Sequence, residues 1–147
     1  MLSNTCKYAV RAVTYLAIHE EKNKKIGLKQ ISEELEIPAP FLGKILQMLA
    51  KNKLLSSTKG PHGGFSLGRE ADEIWLYDIV EIIDGFDAFD SCLFGYKTCK
   101  NLPEKQDTCP IHPKSGPVRK QLLDLYKSQS VGEIAKKYGK EKTSILF

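Results

Sequence analysis

The chain has 147 residues, of which 41% are hydrophobic and 27% charged, which is enough apolar material for one ordinary domain or two small lobes. It has no run of 18 apolar residues, and its start, MLSNTCKYAVRAV, lacks the apolar segment of a secretory signal, so we expect no membrane span and a cytoplasmic location. The net charge of +4 is uneven: residues 1–68 hold ten Lys and Arg against five Asp and Glu, and residues 69–147 hold twelve against thirteen. A basic N-terminal half favours a polyanionic partner, and a merely solvated charged surface is the alternative.

Three helices are predicted in the first third of the chain. Apolar residues recur at helical spacing in Asn4–Glu20, in Leu28–Leu35 and from about Ala39 to Asn52. The tripeptide EIP connects the second helix tightly to the third. Prolines stand before and within the first turn of the third helix, where proline is tolerated.

The pattern changes at Leu54. The short runs LLSST and GFSLG are typical of strands, and the KGPHG between them predicts a β-hairpin. Helical spacing returns from Leu76 to Ile83, then in GPVRKQLLDLYKSQ, with Pro117 expected in the first turn of that helix, and finally in Val131–Tyr138. The sequence therefore predicts a mainly α-helical chain with one small β-hairpin.

The third predicted helix is the candidate reader of DNA. A short helix, a tight turn, a second helix and a glycine-rich hairpin follow one another in the order of a winged helix-turn-helix lobe. With its apolar face on the core, the third helix would offer its other face to a major groove, where Lys and Gln donate hydrogen bonds and Phe contacts a thymine methyl. A helical hairpin inside a bundle would share most of this pattern. The candidate contacts are Pro40, Phe41, Lys44, Gln47 and Lys51, with Gly43 expected on the same exposed face.

The hairpin favours the DNA-binding interpretation. Its hydroxyl and ammonium groups suit phosphate oxygens, and its glycines allow the backbone to approach a groove closely. A nucleotide-binding loop would require Lys-Ser/Thr and a helix after the glycines, whereas the strand-like FSL follows here. The candidate contacts in the hairpin are Ser57, Thr58, Lys59, Gly60, His62 and Gly63.

Three segments carry a resemblance to a known family. The stretches KYAVRAVTYLA, ISEELEIPAPFLGKILQMLAKNKLLSSTKGPHGGFSLGR and DIVEIIDG resemble the winged-helix transcriptional regulators that include IscR, NsrR and CymR. The resemblance covers nearly the whole chain in the same order, and the wing KGPHGGF is its most specific piece. It implies a homodimer that regulates transcription, as a repressor, from an inverted-repeat operator in double-stranded DNA. It also implies a long C-terminal helix that crosses its twin.

The segment CLFGYKTCKNLPEKQDTCPIH holds three of the four cysteines. The resemblance implies that Cys92, Cys99 and Cys109 hold an iron–sulphur cluster, of the 2Fe–2S or 4Fe–4S type, and it places His112 at a family ligand position. The gaps of six and nine residues between the cysteines are longer than in IscR-like members. The cluster type therefore stays open.

Other roles for these cysteines fit the sequence as well. Structural zinc more often uses closely spaced cysteine pairs, which the segment lacks. A redox disulfide remains open, and so does a structural role in which the cysteines are small apolar fillers and His112 caps the next helix. Cys6, on the first helix, is an alternative metal ligand, although burial as a small hydrophobe is the simpler interpretation.

The helix after the cysteines is the expected dimer interface. It carries more apolar surface than one small lobe would cover, at Val118, Leu122, Leu125 and Tyr126. We therefore divide the chain into a winged helix-turn-helix DNA-binding domain (1–70), a connecting helix with a cysteine-rich sensor loop (71–113), and a dimerisation helix with a C-terminal helix (114–147).

The predicted function is that of a regulator and not of an enzyme. We expect a homodimeric DNA-binding protein that senses iron–sulphur, redox or nitrosative status through the cysteine segment. One alternative is a family member without a cluster that responds through a thiol-redox switch, a metabolite or a protein partner. A redox protein that does not bind DNA is the other alternative, and the wing and the basic lobe argue against it.

Overall fold

The computed structural model describes residues 2–21, 24–85, 89, 92 and 111–140, with the backbone alone at positions 112 and 140. This part of the chain contains six α-helices and one antiparallel two-stranded sheet. Their bounds are α1 Asn4–Ile18, α2 Leu28–Leu35, α3 Ala39–Lys51, β1 Leu55–Thr58, β2 Gly64–Leu67, α4 Leu76–Ile83, α5 His112–Ser128 and α6 Val131–Lys140. The predicted mainly α-helical fold with a small β-hairpin is confirmed.

Helices α1, α2 and α3 share one apolar core. Each contributes side chains that are almost completely buried, and β1, β2 and α4 close the core from the other sides. Burial of each large aliphatic side chain contributes on the order of 1.5–3 kcal/mol. The fully buried members that fix the orientation of these helices include Val13, Ile31, Leu35, Leu42, Leu46 and Leu49.

The turn between α2 and α3 is closed by several hydrogen bonds. Glu36 adopts a left-handed φ of 54° at the end of α2, and the Ile37 amide donates to the Ser32 carbonyl over 3.1 Å. The Ser32 hydroxyl donates in turn to the Ile37 carbonyl over 2.6 Å. From α1, the Arg11 guanidinium donates to the Leu35 carbonyl over 2.8 Å. These bonds satisfy the end of α2 and set the direction in which α3 departs.

Gly43 lies between α2 and α3. It is buried, and a Cβ at this position would stand 3.2 Å from Cδ2 of Leu28. The expectation that Gly43 belongs to the exposed face of α3 is therefore wrong, because Leu28 at the start of α2 packs over it.

The hairpin is attached to the helical lobe by a short third segment. Strands β1 and β2 pair from Leu55 with Leu67 to Thr58 with Gly64. Ile26, between α1 and α2, exchanges two backbone hydrogen bonds with Phe65 over 2.9 and 2.8 Å. A Cβ on Gly64 would stand 2.4 Å from the Ile26 carbonyl oxygen, and its φ is +147°, so this position requires glycine.

The C-terminal helices begin and pack differently from the expectation. Helix α5 begins at His112, so Pro113 is in its first turn and Pro117 lies inside it; the prediction that placed Pro117 in the first turn is wrong. Helix α6 packs against α1, with Val131 fully buried in the first core. Residues 131–140 thus lie on the N-terminal lobe, and the division at residue 114 remains a proposal.

A second, smaller cluster joins α1, α4 and α5. Its buried members are Cys6, Val80 and Phe89, and half-buried side chains that include Tyr77 and Tyr126 pack around them. The cluster lies at the ends of the segment that carries the remaining cysteines. Across the described residues, no helix is both long and apolar enough to cross a membrane.

Candidate nucleic-acid interface and cysteine region

Helix α3 presents a polar column to solvent. Its buried residues occupy one side, and the exposed ones recur at intervals of three and four residues, which places them along a single line. Since the ammonium groups on this line are free of ion pairs among the described residues, they are available to phosphates or base edges. The column consists of Pro40, Lys44, Gln47 and Lys51.

Phe41 stands beside this column and is held in place from α1. Its ring meets the Tyr8 ring edge to face, with centroids 5.8 Å apart, and the Arg11 guanidinium lies 5.9 Å from the centroid of Tyr8. The Phe41 side chain is still 40% exposed. The ring is therefore oriented by its neighbours and remains open to a ligand.

The wing between β1 and β2 presents the predicted polar groups. Lys59, Gly60 and His62 are exposed at its tip, with Gly60 at a φ of +108°. Gly63 is half-buried, and a Cβ there would fall 2.2 Å from the Thr58 carbonyl oxygen. This glycine is thus explained by the closure of the hairpin itself, whether or not it approaches a groove.

Lys25 is a further cation at the wing that the sequence analysis did not identify. Its ammonium group donates to the hydroxyls of Thr58 and of Ser56, the latter over 3.0 Å. A hydroxyl that accepts from lysine keeps its own proton free to donate. Lys25 therefore orients Thr58 as a donor and adds positive charge beside Ser57, which is exposed. The dipeptide Lys24-Lys25 directly before the paired Ile26 is the signal that could have revealed it.

The predicted metal ligands fall largely outside the described residues. Cys99 and Cys109 lie outside them, as does the imidazole of His112, whose backbone begins α5. Cys92 is half-exposed and forms no disulfide. Among the residues that the structure describes, no group of three or more His, Cys, Asp and Glu side chains is arranged to hold a metal ion. The structure therefore does not bring the four predicted ligands together within its described part.

Cys6 is a buried thiol next to a carboxylate. Burial, and after it the negative charge of Asp84 and a hydrogen bond to Asp84, raise the pKa of the Cys6 thiol to about 12. The same carboxylate accepts from the Ser3 hydroxyl and, over 2.9 Å, from the Ser3 amide. Because a metal ligand must be a thiolate, Cys6 in this setting is poorly suited to ligation.

The apolar stripe on α5 is uncovered in the single chain. Val118, Leu122 and Leu125 are 62%, 39% and 54% exposed. Tyr126 differs, because its half-buried ring packs 5.5 Å from the Phe89 ring in the second cluster. The uncovered stripe thus contains three of the four predicted residues, and Tyr126 mainly contacts its own chain.

Helix-turn-helix and a wing on a helical core, with a basic outer face, define the class of a winged-helix protein. The chain belongs to the Rrf2 family, because the family model described as "Iron-dependent Transcriptional regulator" matches residues 2–137. The predicted kinship with regulators of the IscR and CymR type is thereby confirmed. The coarser part of the predicted function is also established: the protein is a transcriptional regulator of this family.

Individual relatives agree with this assignment. The chain is 31% identical over 134 residues to a putative HTH-type transcriptional regulator of Aquifex aeolicus, covering 91% of this chain and 90% of that protein. It is 29% identical to the HTH-type transcriptional regulator IscR of Xenorhabdus nematophila, covering 92% of this chain and 79% of that protein.

Solved structures confirm the fold. The structure of CymR, the global cysteine regulator of B. subtilis, superposes with a TM-score of 0.74 at 20% identity, covering 93% of this chain and 97% of that one. IscR of T. potens superposes with a TM-score of 0.75 at 24% identity, covering 98% and 92%.

Proposed function

We propose that the protein is a cytoplasmic, homodimeric, DNA-binding repressor that reads an inverted-repeat operator through α3 and the wing. The observation that carries this proposal is the polar column of α3 beside a cationic wing. Lys44, Lys51 and Lys59 are exposed and form no ion pair among the described residues. Lysines in this arrangement neutralise phosphates, while Gln47 is positioned to donate to a base edge.

Dimerisation follows from the stripe on α5. Three exposed aliphatic side chains in line on one helix are an unusual solvent-facing feature, and a second copy of the same helix would cover them. A two-fold dimer presents two α3 helices to successive major grooves, about 34 Å or a multiple of that distance apart. The operator is then an inverted repeat with matching half-site spacing.

The proposal extends to the cysteine segment as the sensor. We assign Cys92, Cys99, Cys109 and His112 as ligands of an iron–sulphur cluster, of the 2Fe–2S or 4Fe–4S type. Three thiols and an imidazole have the donor chemistry of such sites, and the half-exposed, unpaired Cys92 thiol fits it. Cys6 does not fit, because its thiol is buried and holds its proton. The cluster, when bound, would supply a centre whose assembly and loss respond to iron and oxidants.

A regulator without a cluster is the second candidate. The wide spacing of the cysteines and the similarity to CymR, whose structure is described as that of a global cysteine regulator, favour it. Such a protein would bind DNA through the same α3 and wing and would respond through its thiols, a metabolite or a protein partner.

Two measurements separate these candidates. Selection of duplexes by the purified protein from sheared genomic DNA, before and after anaerobic treatment with iron and sulphide, tests DNA binding. We expect a specific duplex to be retained in at least one of the two states; retention of none at low salt would contradict the regulator proposal. Visible absorption with iron and sulphide analysis tests the sensor: a chromophore supports the cluster, and its absence leaves the cluster-free regulator.

A further inference from the structure

The recognition helix carries a second, apolar column that the sequence analysis did not single out as such. Met48 is 43% exposed and Phe41 is 40% exposed, and they are seven residues apart, so they lie two turns apart on one side of α3. Outside the stripe on α5, the only other large apolar side chain with this exposure in the described residues is Trp75. Two of these three side chains thus lie on the helix that faces DNA.

Met48 has no packing role within the chain. It belongs to neither apolar cluster of the described residues, although Leu49 beside it is completely buried. It is flanked by Gln47 and, one turn later, by Lys51, the two residues proposed to contact base and phosphate. A thioether between such neighbours would be buried by the major groove when the polar column binds.

Major grooves contain one kind of apolar partner for such a side chain. The C5 methyl group of thymine projects into the groove, and a cytosine methylated at C5 carries a methyl group at the same place. Flexible thioethers adapt well to such surfaces. Seven residues of helix span about 10.5 Å, close to three base steps of about 3.4 Å.

We infer that Met48 and Phe41 determine operator specificity by contacting two C5 methyl groups about three base pairs apart in each half-site. This inference rests on the proposed function and adds to it the chemistry that is read. Phe41 is the rigid member, because Tyr8 and Arg11 orient its ring. Met48 is the adaptable one.

The test uses a duplex selected by the wild-type protein, in which each thymine is replaced singly by deoxyuridine. Deoxyuridine removes only the methyl group and keeps the hydrogen-bonding groups. Each contacted methyl should lower affinity by roughly four-fold when it is removed, the effect of burying one such group. Met48→Ala should lose sensitivity at one position and keep it at the other, and Phe41→Ala should show the opposite behaviour. Met48→Leu should remain sensitive at both.

Two further arms identify the source of the effect. Replacement of the sensitive T·A pair by a 5-methylcytosine·G pair should bind better than the unmethylated C·G pair, which separates the methyl group from the thymine O4 oxygen. As a matched variant on the same helix, Lys51→Ala should weaken binding equally to thymine and deoxyuridine duplexes.

The outcomes distinguish this inference from the proposed function. Selected half-sites without methyl groups at this spacing, or equal binding of thymine and deoxyuridine duplexes, would overturn the methyl contacts while leaving DNA binding intact. Sensitivity that persists in Met48→Ala and Phe41→Ala would also overturn them. If the protein selects no duplex, the proposed function fails and the inference fails with it.

Discussion

The DNA-reading lobe and the cysteine region differ in how their functional groups are held in position. In the lobe, each candidate contact lies on an element that a buried apolar face orients, as Leu42, Leu46 and Leu49 orient α3. In the cysteine region, the described anchor points are Asp84 at the end of α4, Cys92 and the start of α5, and the ligands between them are separated by long gaps. The first region is therefore a preformed surface, and the second would be organised by what it binds.

The cysteine region should respond most strongly to a single change. We expect Cys99→Ala to abolish the chromophore formed on anaerobic treatment with iron and sulphide, because the assigned site would retain only two thiolates. Thermal unfolding of the metal-free protein should be unchanged, since the lobe does not use this residue. A chromophore of wild-type intensity in Cys99→Ala would break the assignment.

The dimer stripe joins the two regions. Leu122→Asp places a charge on the uncovered face of α5 and should give a monomer by light scattering at micromolar concentration. Operator affinity should fall by on the order of 100-fold or more, since the second half-site no longer adds to binding. Lys120→Asp, on the opposite side of the same helix, is the control and should remain a dimer. A dimeric Leu122→Asp protein would place the interface elsewhere.

The attachment of the wing tests whether the lobe is preformed. Gly64→Ala should lower the free energy of unfolding by about 1–3 kcal/mol, because its Cβ would stand 2.4 Å from the Ile26 carbonyl oxygen at a φ of +147°. Gly27→Ala is the matched control, since no atom lies within 4 Å of its Cβ. Urea unfolding measures both variants. Equal midpoints would show that the wing is not fixed in the observed way.

The lysine at the wing tip should affect affinity more than preference. Lys59→Ala should weaken binding to specific and random duplexes alike and reduce the salt slope by about 0.9 log units per log unit of salt. Lys136→Ala removes the same charge from α6, where the ammonium group pairs with Asp72, and should leave both slope and affinity unchanged. Binding measured by fluorescence anisotropy across a salt series distinguishes them.

Cys6 should give the smallest effect and a distinctive pH dependence. Its pKa is about 12 in the folded chain against an ordinary value of 9.0, so its protonated form stabilises the fold below pH 9 and this contribution is lost between about pH 9 and 12. The free energy of unfolding should therefore decline less steeply over this range in Cys6→Ala than in the wild type. The same variant should keep the chromophore; if it bleaches while His112→Ala does not, Cys6 and not His112 is the ligand.

Much of the lobe could be predicted from the sequence because its signals are local. Helical spacing placed α2 at its observed bounds and α3 within one residue, and the glycine cluster placed the hairpin. The errors arose where distant elements meet: Leu28 covers Gly43, and Phe89 partly covers Tyr126. Lys25 was missed because its role depends on pairing of Ile26 with the wing. The convergence of cysteines across long gaps has no periodic signal at all.

The measurement that tests the central claim most directly is the stoichiometry and specificity of one complex. Analytical ultracentrifugation of the protein with a labelled, selected duplex, beside a scrambled duplex of the same composition, reports both. We expect two chains per duplex on an inverted repeat whose half-sites are separated by about one helical turn or a multiple of it, and much weaker binding to the scrambled duplex. One chain per duplex, or equal binding to both, would contradict a homodimer that reads DNA through α3 and the wing.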